Sequence, residues 1–148
     1  MMKYYQKGKS YMSNKPYAKE WLIFANKNLE TAILLFEANH YEDIIGVEIQ
    51  QSLEKTLKSL LANENLKISK NHDLVKLYFM LGEIISLHEN EIVFLRIATD
   101  YYKEDRYPNP NYTLPTREEI KEILDFTKDF FDKVCKILDI NKEELKHA

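Results

Sequence analysis

The stretch NHYEDIIGVEIQQSLEKTLKSLLANEN, residues 39–65, gives the clearest indication of the architecture, because its apolar side chains recur at helical spacing. A return every three or four residues is typical of an amphipathic helix that buries one stripe. The pattern predicts a helix that begins near Tyr41 and ends between Asn63 and Asn65. Its core stripe is Ile45, Ile49, Leu53, Thr56, Leu57 and Leu60.

A polar face follows the same helix. Its members are spaced i, i+3, i+4 and i+7, so they share one side: Gln51, Glu54, Lys55 and Lys58. We expect solvent to cover this face. Glu54 and Lys58 would then form a surface ion pair worth roughly a few tenths of a kcal/mol.

An earlier helical pattern begins at Pro16, since proline is tolerated in a first turn. Ile23 and Leu34 lie roughly opposite its main apolar stripe, so this helix is apolar on more than one face. We expect it to be buried between neighbours or to form a dimer surface. The main stripe is Trp21, Phe24, Ala25, Leu29, Ala32, Leu35 and Phe36.

Two more patterns follow residue 65. A helix capped by Asn71 or Asp73 is predicted to point Leu74, Leu77, Leu81, Ile84 and Ile85 inward, to break at LHENE (87–91) and to resume at IVFLRIATDYY (92–102). The last helix opens with a predicted capping box of Thr116 and Glu119. Its stripe is Ile120, Ile123, Leu124, Thr127, Phe130, Phe131, Val134 and Leu138.

These segments predict an all-α fold, an up-and-down antiparallel bundle of four to five helices in a single domain. No segment of usable length alternates with the period of a strand. The bundle is predicted to span residues 14–140, between a flexible basic N-terminal tail (1–13) and a polar C-terminal tail (141–148). The interleaved lysines and tyrosines of residues 1–19 suit either a nucleic-acid arm or a frayed terminus.

Composition excludes several classes of protein. Only three glycines occur, which argues against P-loop and Rossmann enzymes. No run of about 18 apolar residues is present, so a membrane protein is not expected. The net charge of −3 gives no global attraction for nucleic acid, and the single Cys135 suits a reducing, cytoplasmic location.

Catalytic and metal motifs are missing from the sequence. The histidines, His40, His72, His88 and His147, never stand three or four residues apart, so no two-histidine metal site is predicted. His72-Asp73 is similar to the HD pair of metal phosphohydrolases, but no partner ligands accompany it. We predict no catalytic residue, no metal and no cofactor.

The connection DYYKEDRYPNPNYTLPT, residues 100–116, holds three of the four prolines and four of the ten tyrosines. Arg106 offers a planar fork for phosphate, and tyrosines can stack on bases. The prolines would stiffen this rim for an anionic ligand, with Lys55 and Lys58 as a facing wall. Alternatively, Arg106 pairs with a nearby acid and the prolines only carry the chain to the last helix.

Three pieces in order carry a resemblance: FEANHYEDIIGVEIQQSLEKTLKSLLANENL (36–66), NHDLVKL (71–77) and DYYKEDRYP (100–108). Together the chain resembles the HEPN domain family, the nucleotide-binding helical domains of higher eukaryotes and prokaryotes, over roughly residues 17–138. The resemblance implies a helical bundle that usually dimerises. It also implies a minimal nucleotidyltransferase encoded beside it, in a toxin–antitoxin-like arrangement.

Some family members are metal-independent ribonucleases with an Arg-x(4-6)-His motif. Here the arginines are Arg96, Arg106 and Arg117, and no histidine follows any of them at that spacing. The resemblance therefore favours the nucleotide-binding branch over the toxin branch. It implies a non-catalytic homodimeric subunit that binds a nucleotide or RNA phosphate and partners a separate nucleotidyltransferase. The implied nucleotide-binding residues are Lys55, Lys58, His72, Tyr102, Arg106 and Tyr107.

Two alternatives to the nucleotide-binding subunit stay open. The first is a HEPN ribonuclease that lacks the usual motif and uses His72 instead. The second is a pure protein-interaction module. Metal-independent RNA cleavage calls for a group that moves a proton near neutral pH, which favours an imidazole over a tyrosine.

Overall fold

The computed structural model describes residues 13–68, 70–106, 108 and 110–146, without the side chains of residues 103–106. Five α-helices and no strand occur in these residues, so the predicted all-α bundle is confirmed. The helices are α1 (Lys15–Glu37), α2 (Glu42–Asn63), α3 (Leu74–Met80), α4 (Glu89–Arg106) and α5 (Arg117–Leu138), followed by a 3-10 turn, Lys142–Leu145. Nearly all of the predicted basic tail lies outside the described residues.

α2 lies at the centre of the bundle and contacts the other four helices. The whole predicted core stripe of α2 is buried, as expected. The expectation of a solvated polar face is wrong for Glu54 and Lys58, which are each only 5% exposed. A helix surrounded by neighbours has no free side, so these charges are buried and must find partners inside the protein.

α1 packs on α2 through a stripe that differs from the predicted one. Asn14 caps the helix by accepting a hydrogen bond from the Tyr17 amide, and Pro16 lies in the first turn as expected. Phe24, predicted to be in the core, is 53% exposed. The buried residues of α1 are Ala18, Leu22, Ala25, Asn26, Leu29 and Ala32. The alanines among them are small, so they allow the two helix backbones to approach closely.

α3 is shorter than predicted and α4 is longer. Asp73, one of the two predicted caps, caps α3 by accepting from the amides of Val75 and Lys76. α3 ends at Met80 rather than at LHENE, and Gly82 follows with a left-handed φ of 60° that glycine adopts without strain. α4 continues to Arg106, so residues assigned by sequence to the connection belong to a helix.

Tyr101 joins α4 to α5. Thr116 caps α5 by accepting from the Glu119 amide at 3.1 Å, which confirms the first half of the predicted capping box. The Glu119 carboxylate accepts a hydrogen bond from the Tyr101 hydroxyl, so it serves the contact between two helices. The predicted stripe of α5 is entirely buried.

The chain after α5 returns to α1. Leu145, at the end of the 3-10 turn, is buried, and Lys19 of α1 bonds Glu144 at 3.0 Å. Part of the segment predicted as a polar tail therefore packs on the bundle. None of the helices in the described part of the chain is both long and apolar enough to pass through a bilayer.

Candidate functional site

A buried carboxylate organises the polar residues that α2 turns inward. Glu54 accepts hydrogen bonds from Lys58 at 2.8 Å, from Gln50 at 3.0 Å and from His72 at 2.9 Å. Gln50, Glu54 and Lys58 follow one another at intervals of about one turn on α2, and His72 lies in the loop before α3. We call Gln50, Glu54, Lys58 and His72 the Glu54 cluster.

The Glu54 cluster holds its carboxylate ionised. Burial raises the pKa of Glu54, but the hydrogen bonds from Lys58, Gln50 and His72 more than offset it, so the pKa lies below its usual value. A buried carboxylate with donors on both oxygens is a fixed negative charge. Lys58 balances that charge within the chain.

His72 is the solvent-facing member of the cluster. Its side chain is 47% exposed, against 7% for Glu54. Its ring lies against Tyr102 of α4, with centroids 4.7 Å apart and an interplanar angle of 32°. The backbone carbonyl of His72 accepts from Gln50 at 3.2 Å. Glu54 and Tyr102 therefore hold the imidazole, Gln50 holds its backbone, and almost half of the side chain stays exposed.

Lys58 faces the inside of the bundle. Besides its bond to Glu54, its ammonium lies 5.6 Å from the ring centroid of Trp21. A lysine that is paired and nearly covered is poorly available to an incoming phosphate. Its geometry fits support of Glu54 better than direct contact with a ligand.

Lys55 lies on the side of α2 that faces α1. Its ammonium donates to Asn28 at 2.7 Å, and Asn28 in turn donates to Glu48 at 2.9 Å. Partial burial lowers the pKa of Lys55, while the carboxylates of Glu54 and Glu48 act in the opposite direction. Lys55 is half-buried, and its hydrogen bond to Asn28 connects α2 to α1. It stands three residues before Lys58 and does not share the bond of Lys58 to Glu54.

Of the six predicted site residues, the structure brings Lys58, His72 and Tyr102 together. Arg106 ends α4 one turn beyond Tyr102, so its backbone continues the same side of the helix. The side chain of Arg106 and all of Tyr107 lie outside the described residues. A groove of about 300 Å³ lies between the start of α3 and the middle of α4, lined by Asp73, Val75, Lys76, Arg96, Thr99 and Asp100.

Gln50 and Glu54 are the cluster residues that sequence reasoning did not assign to the site. Their spacing carried a usable signal, because Gln50, Glu54 and Lys58 are each four apart and therefore line one side of α2. The polar pattern of the helix instead predicts a solvated charge at Glu54. Contacts with distant parts of the chain turn that side inward: His72, in the loop before α3, bonds Glu54, and Trp21 of α1 lies near Lys58.

A larger groove of about 700 Å³ lies between α1, α5 and the 3-10 turn, with residues such as Asn26, Ile33 and Lys136 in its wall. It includes none of the predicted site residues. Cys135 also borders this groove, and burial raises the pKa of its thiol to about 11, as expected of a packed helix residue. Across the described residues no group of three or more potential metal ligands comes together.

Comparison with known proteins gives the family context for this geometry. The HEPN domain model matches residues 18–138. The crystal structure of TT1696 from Thermus thermophilus is similar at 26% identity and a TM-score of 0.69, covering 81% of this chain and 97% of that chain. ST0689, an archaeal HEPN homologue, is similar at 18% identity and a TM-score of 0.63, covering 82% of this chain and 97% of that chain. At this identity the similarity concerns the fold alone. No curated protein matches significantly.

Proposed function

This chain belongs to the HEPN domain family, and on that premise we propose that it is a non-catalytic subunit that binds a nucleotide or an RNA phosphate. It acts together with a separate minimal nucleotidyltransferase. One observation carries the proposal: His72 presents a half-exposed imidazole, fixed by the buried Glu54 and packed on Tyr102. A polar group held this firmly at a surface is pre-organised for a ligand.

The groove between α3 and α4 holds two exposed cations that support the phosphate part of the proposal. Lys76 and Arg96 line it together with the acidic Asp73 and Asp100. Arg106 ends α4 one turn after Tyr102. Guanidinium groups suit phosphate because their planar fork donates two parallel hydrogen bonds. Tyr102 supplies an aromatic face beside the imidazole, on which a base can stack.

The proposal divides the six residues predicted for binding into two groups. His72, Tyr102, Arg106 and Tyr107 would meet the ligand. Lys58 would instead hold Glu54 in place, and Lys55 would fasten α2 to α1 through Asn28. A neutralised, buried lysine contributes little to anion binding.

Homodimerisation belongs to the same proposal. The solvent-facing sides of α1 carry Phe24 and Leu34, which are 53% and 65% exposed. Exposed apolar side chains of this size on one helix are a common feature of contacts between chains. Sedimentation of the wild type should give a mass above that of one chain. Phe24→Glu or Leu34→Glu should lower it, whereas the already exposed and polar Glu30→Gln should leave it unchanged.

Thermal unfolding with a panel of nucleoside triphosphates tests ligand binding directly. A ligand at 100 times its dissociation constant adds about 2.7 kcal/mol to the free energy of unfolding. We expect a shift that is smaller in His72→Ala and unchanged in His88→Ala, an exposed histidine at the start of α4. If neither nucleotides nor RNA oligomers shift the wild type, the chain is a protein-interaction module.

A ribonuclease is the second candidate, favoured by the carboxylate–imidazole pair of Glu54 and His72. A carboxylate on one ring nitrogen makes the other nitrogen a better proton acceptor. Incubation with single-stranded RNA in EDTA separates the candidates. Intact RNA is the expected result. Cleavage that persists in EDTA and disappears in His72→Ala would show that the chain is a ribonuclease and not a non-catalytic binding subunit.

A further inference from the structure

We infer that Nε2 of His72 accepts a hydrogen bond from a donor group of the ligand, and that Gln50 and Glu54 are the positioning residues that make this possible. The inference rests on the proposed function and specifies the ligand chemistry at one atom. It concerns the geometry of a single imidazole and the three groups that hold it.

The tautomer of His72 follows from its partner. Nδ1 lies 2.9 Å from Oε1 of Glu54, and an ionised carboxylate can only accept hydrogen bonds. The hydrogen therefore sits on Nδ1. In its neutral form the imidazole carries one hydrogen, so with that hydrogen on Nδ1 the Nε2 atom bears a lone pair and accepts.

The direction of that lone pair is fixed as well. The Gln50 side chain holds the backbone of His72 through its carbonyl at 3.2 Å and also donates to Glu54. Gln51 donates to the Gln50 oxygen at 2.7 Å, which leaves the Gln50 nitrogen to serve these two acceptors. Tyr102 covers one face of the ring. Rotation of the imidazole would break the bond to Glu54 and the ring contact together.

This arrangement selects a chemical class of ligand group. A phosphate oxygen that has lost its proton has no hydrogen to donate, so neutral Nε2 cannot bind it. A sugar hydroxyl or a base amino group has one. Cations such as Lys76 and Arg96, in the groove between α3 and α4, would then bind the phosphates of the proposed ligand, and His72 would bind its nucleoside part.

Nitrogen-15 NMR of the histidine side chains tests the tautomer in the free protein. The His72 signals are identified by their loss in His72→Phe. We expect a protonated Nδ1 and a bare Nε2 in the wild type, with His88 as an exposed reference. Gln50→Ala should weaken this preference without removing the fold. A bare Nδ1, or a hydrogen on both ring nitrogens at neutral pH, would overturn the inference whatever the ligand.

Calorimetry with three triphosphates then tests the hydrogen bond itself: ATP, 2′,3′-dideoxyATP and purine riboside triphosphate, which lacks the amino group. One lost hydrogen bond corresponds to a fall in affinity of about three- to tenfold. Weaker binding of the dideoxy compound would identify a sugar hydroxyl as the donor to Nε2. Weaker binding of the purine riboside compound would identify the amino group of the base. In either case the difference should vanish in His72→Phe and persist in His88→Phe.

Failure of the inference is distinct from failure of the proposed function. Equal binding of all three compounds, or a difference that survives in His72→Phe, would overturn the role of Nε2 while nucleotide binding stands. No binding of any compound, and none of an RNA oligomer, would remove both. The Gln50→Ala variant adds a check on positioning. It should bring the affinities for the three compounds closer together, while the affinity for the weakest-binding compound changes less.

Discussion

The ring of Tyr101 packs directly on Gly46, so that a Cβ atom added to the glycine would lie 2.8 Å from Cγ of the tyrosine. Tyr101 is buried, and its hydroxyl donates to Glu119. Burial, together with this carboxylate, raises the pKa of the tyrosine above its usual range. One side chain thereby fixes α4 to both α2 and α5, which sets where Tyr102 meets His72.

Gly46→Ala is expected to destabilise the protein by about 1–3 kcal/mol, because the added methyl group meets an aromatic ring that cannot move aside. The gain in helix propensity, about 1 kcal/mol, partly offsets this cost. Urea denaturation of the single and double variants measures the coupling. In a Tyr101→Ala background the same substitution should become neutral or stabilising. Equal effects in both backgrounds would show that the ring is not the obstacle.

The buried ion pair predicts a large asymmetry between single and double substitutions. Glu54→Leu leaves the Lys58 charge buried without its partner and should cost about 3–5 kcal/mol. Glu54→Leu combined with Lys58→Met removes both charges and should recover most of that loss. Denaturant unfolding curves give the two values. A double variant as unstable as the sum of its single variants would contradict this account.

Lys121 and Asp125 provide the matched control, since they are also four apart on a helix and 2.8 Å apart, but their side chains are 62% and 50% exposed. Lys121→Met should change the free energy of unfolding by less than about 1 kcal/mol, because water screens the pair. The contrast between the two pairs isolates burial as the cause.

Acid should destabilise the protein through Glu54. Its pKa is lower in the folded chain than in the unfolded chain, so its stabilising contribution is present above the unfolded pKa, about 4.3. That contribution is lost as the pH falls through the lower, folded pKa. Free energies of unfolding measured from neutral pH down to about pH 3 should fall less steeply in Glu54→Gln than in the wild type. Parallel curves would mean that other carboxylates carry the acid sensitivity.

Much of the fold followed from periodicity alone, and the errors have identifiable causes. The stripes of α2 and α5 were predicted correctly because large aliphatic and aromatic residues mark one side of each helix. The helical pattern predicts solvent at Glu54 and Lys58 because their partners, His72 and Trp21, come from distant parts of the chain. The role of Gln50 depends on a loop carbonyl, which no spacing rule reveals.

The predicted stripe of α1 correctly contains Ala25, Leu29 and Ala32, but it includes the exposed Phe24 and omits the buried Ala18 and Leu22. Alanine contributes little to a hydrophobicity pattern, yet it permits the closest approach of two helices. Ala25 is fully buried, and its carbonyl accepts from Ser52 of α2 at 3.0 Å. Ala25→Leu should therefore overpack the contact between α1 and α2 and cost about 1–3 kcal/mol. Glu30→Gln, at an exposed position of the same helix, should change stability by less than about 0.5 kcal/mol. Thermal and urea unfolding measure both variants, and an Ala25→Leu variant as stable as Glu30→Gln would show that the contact between α1 and α2 has room for a larger side chain.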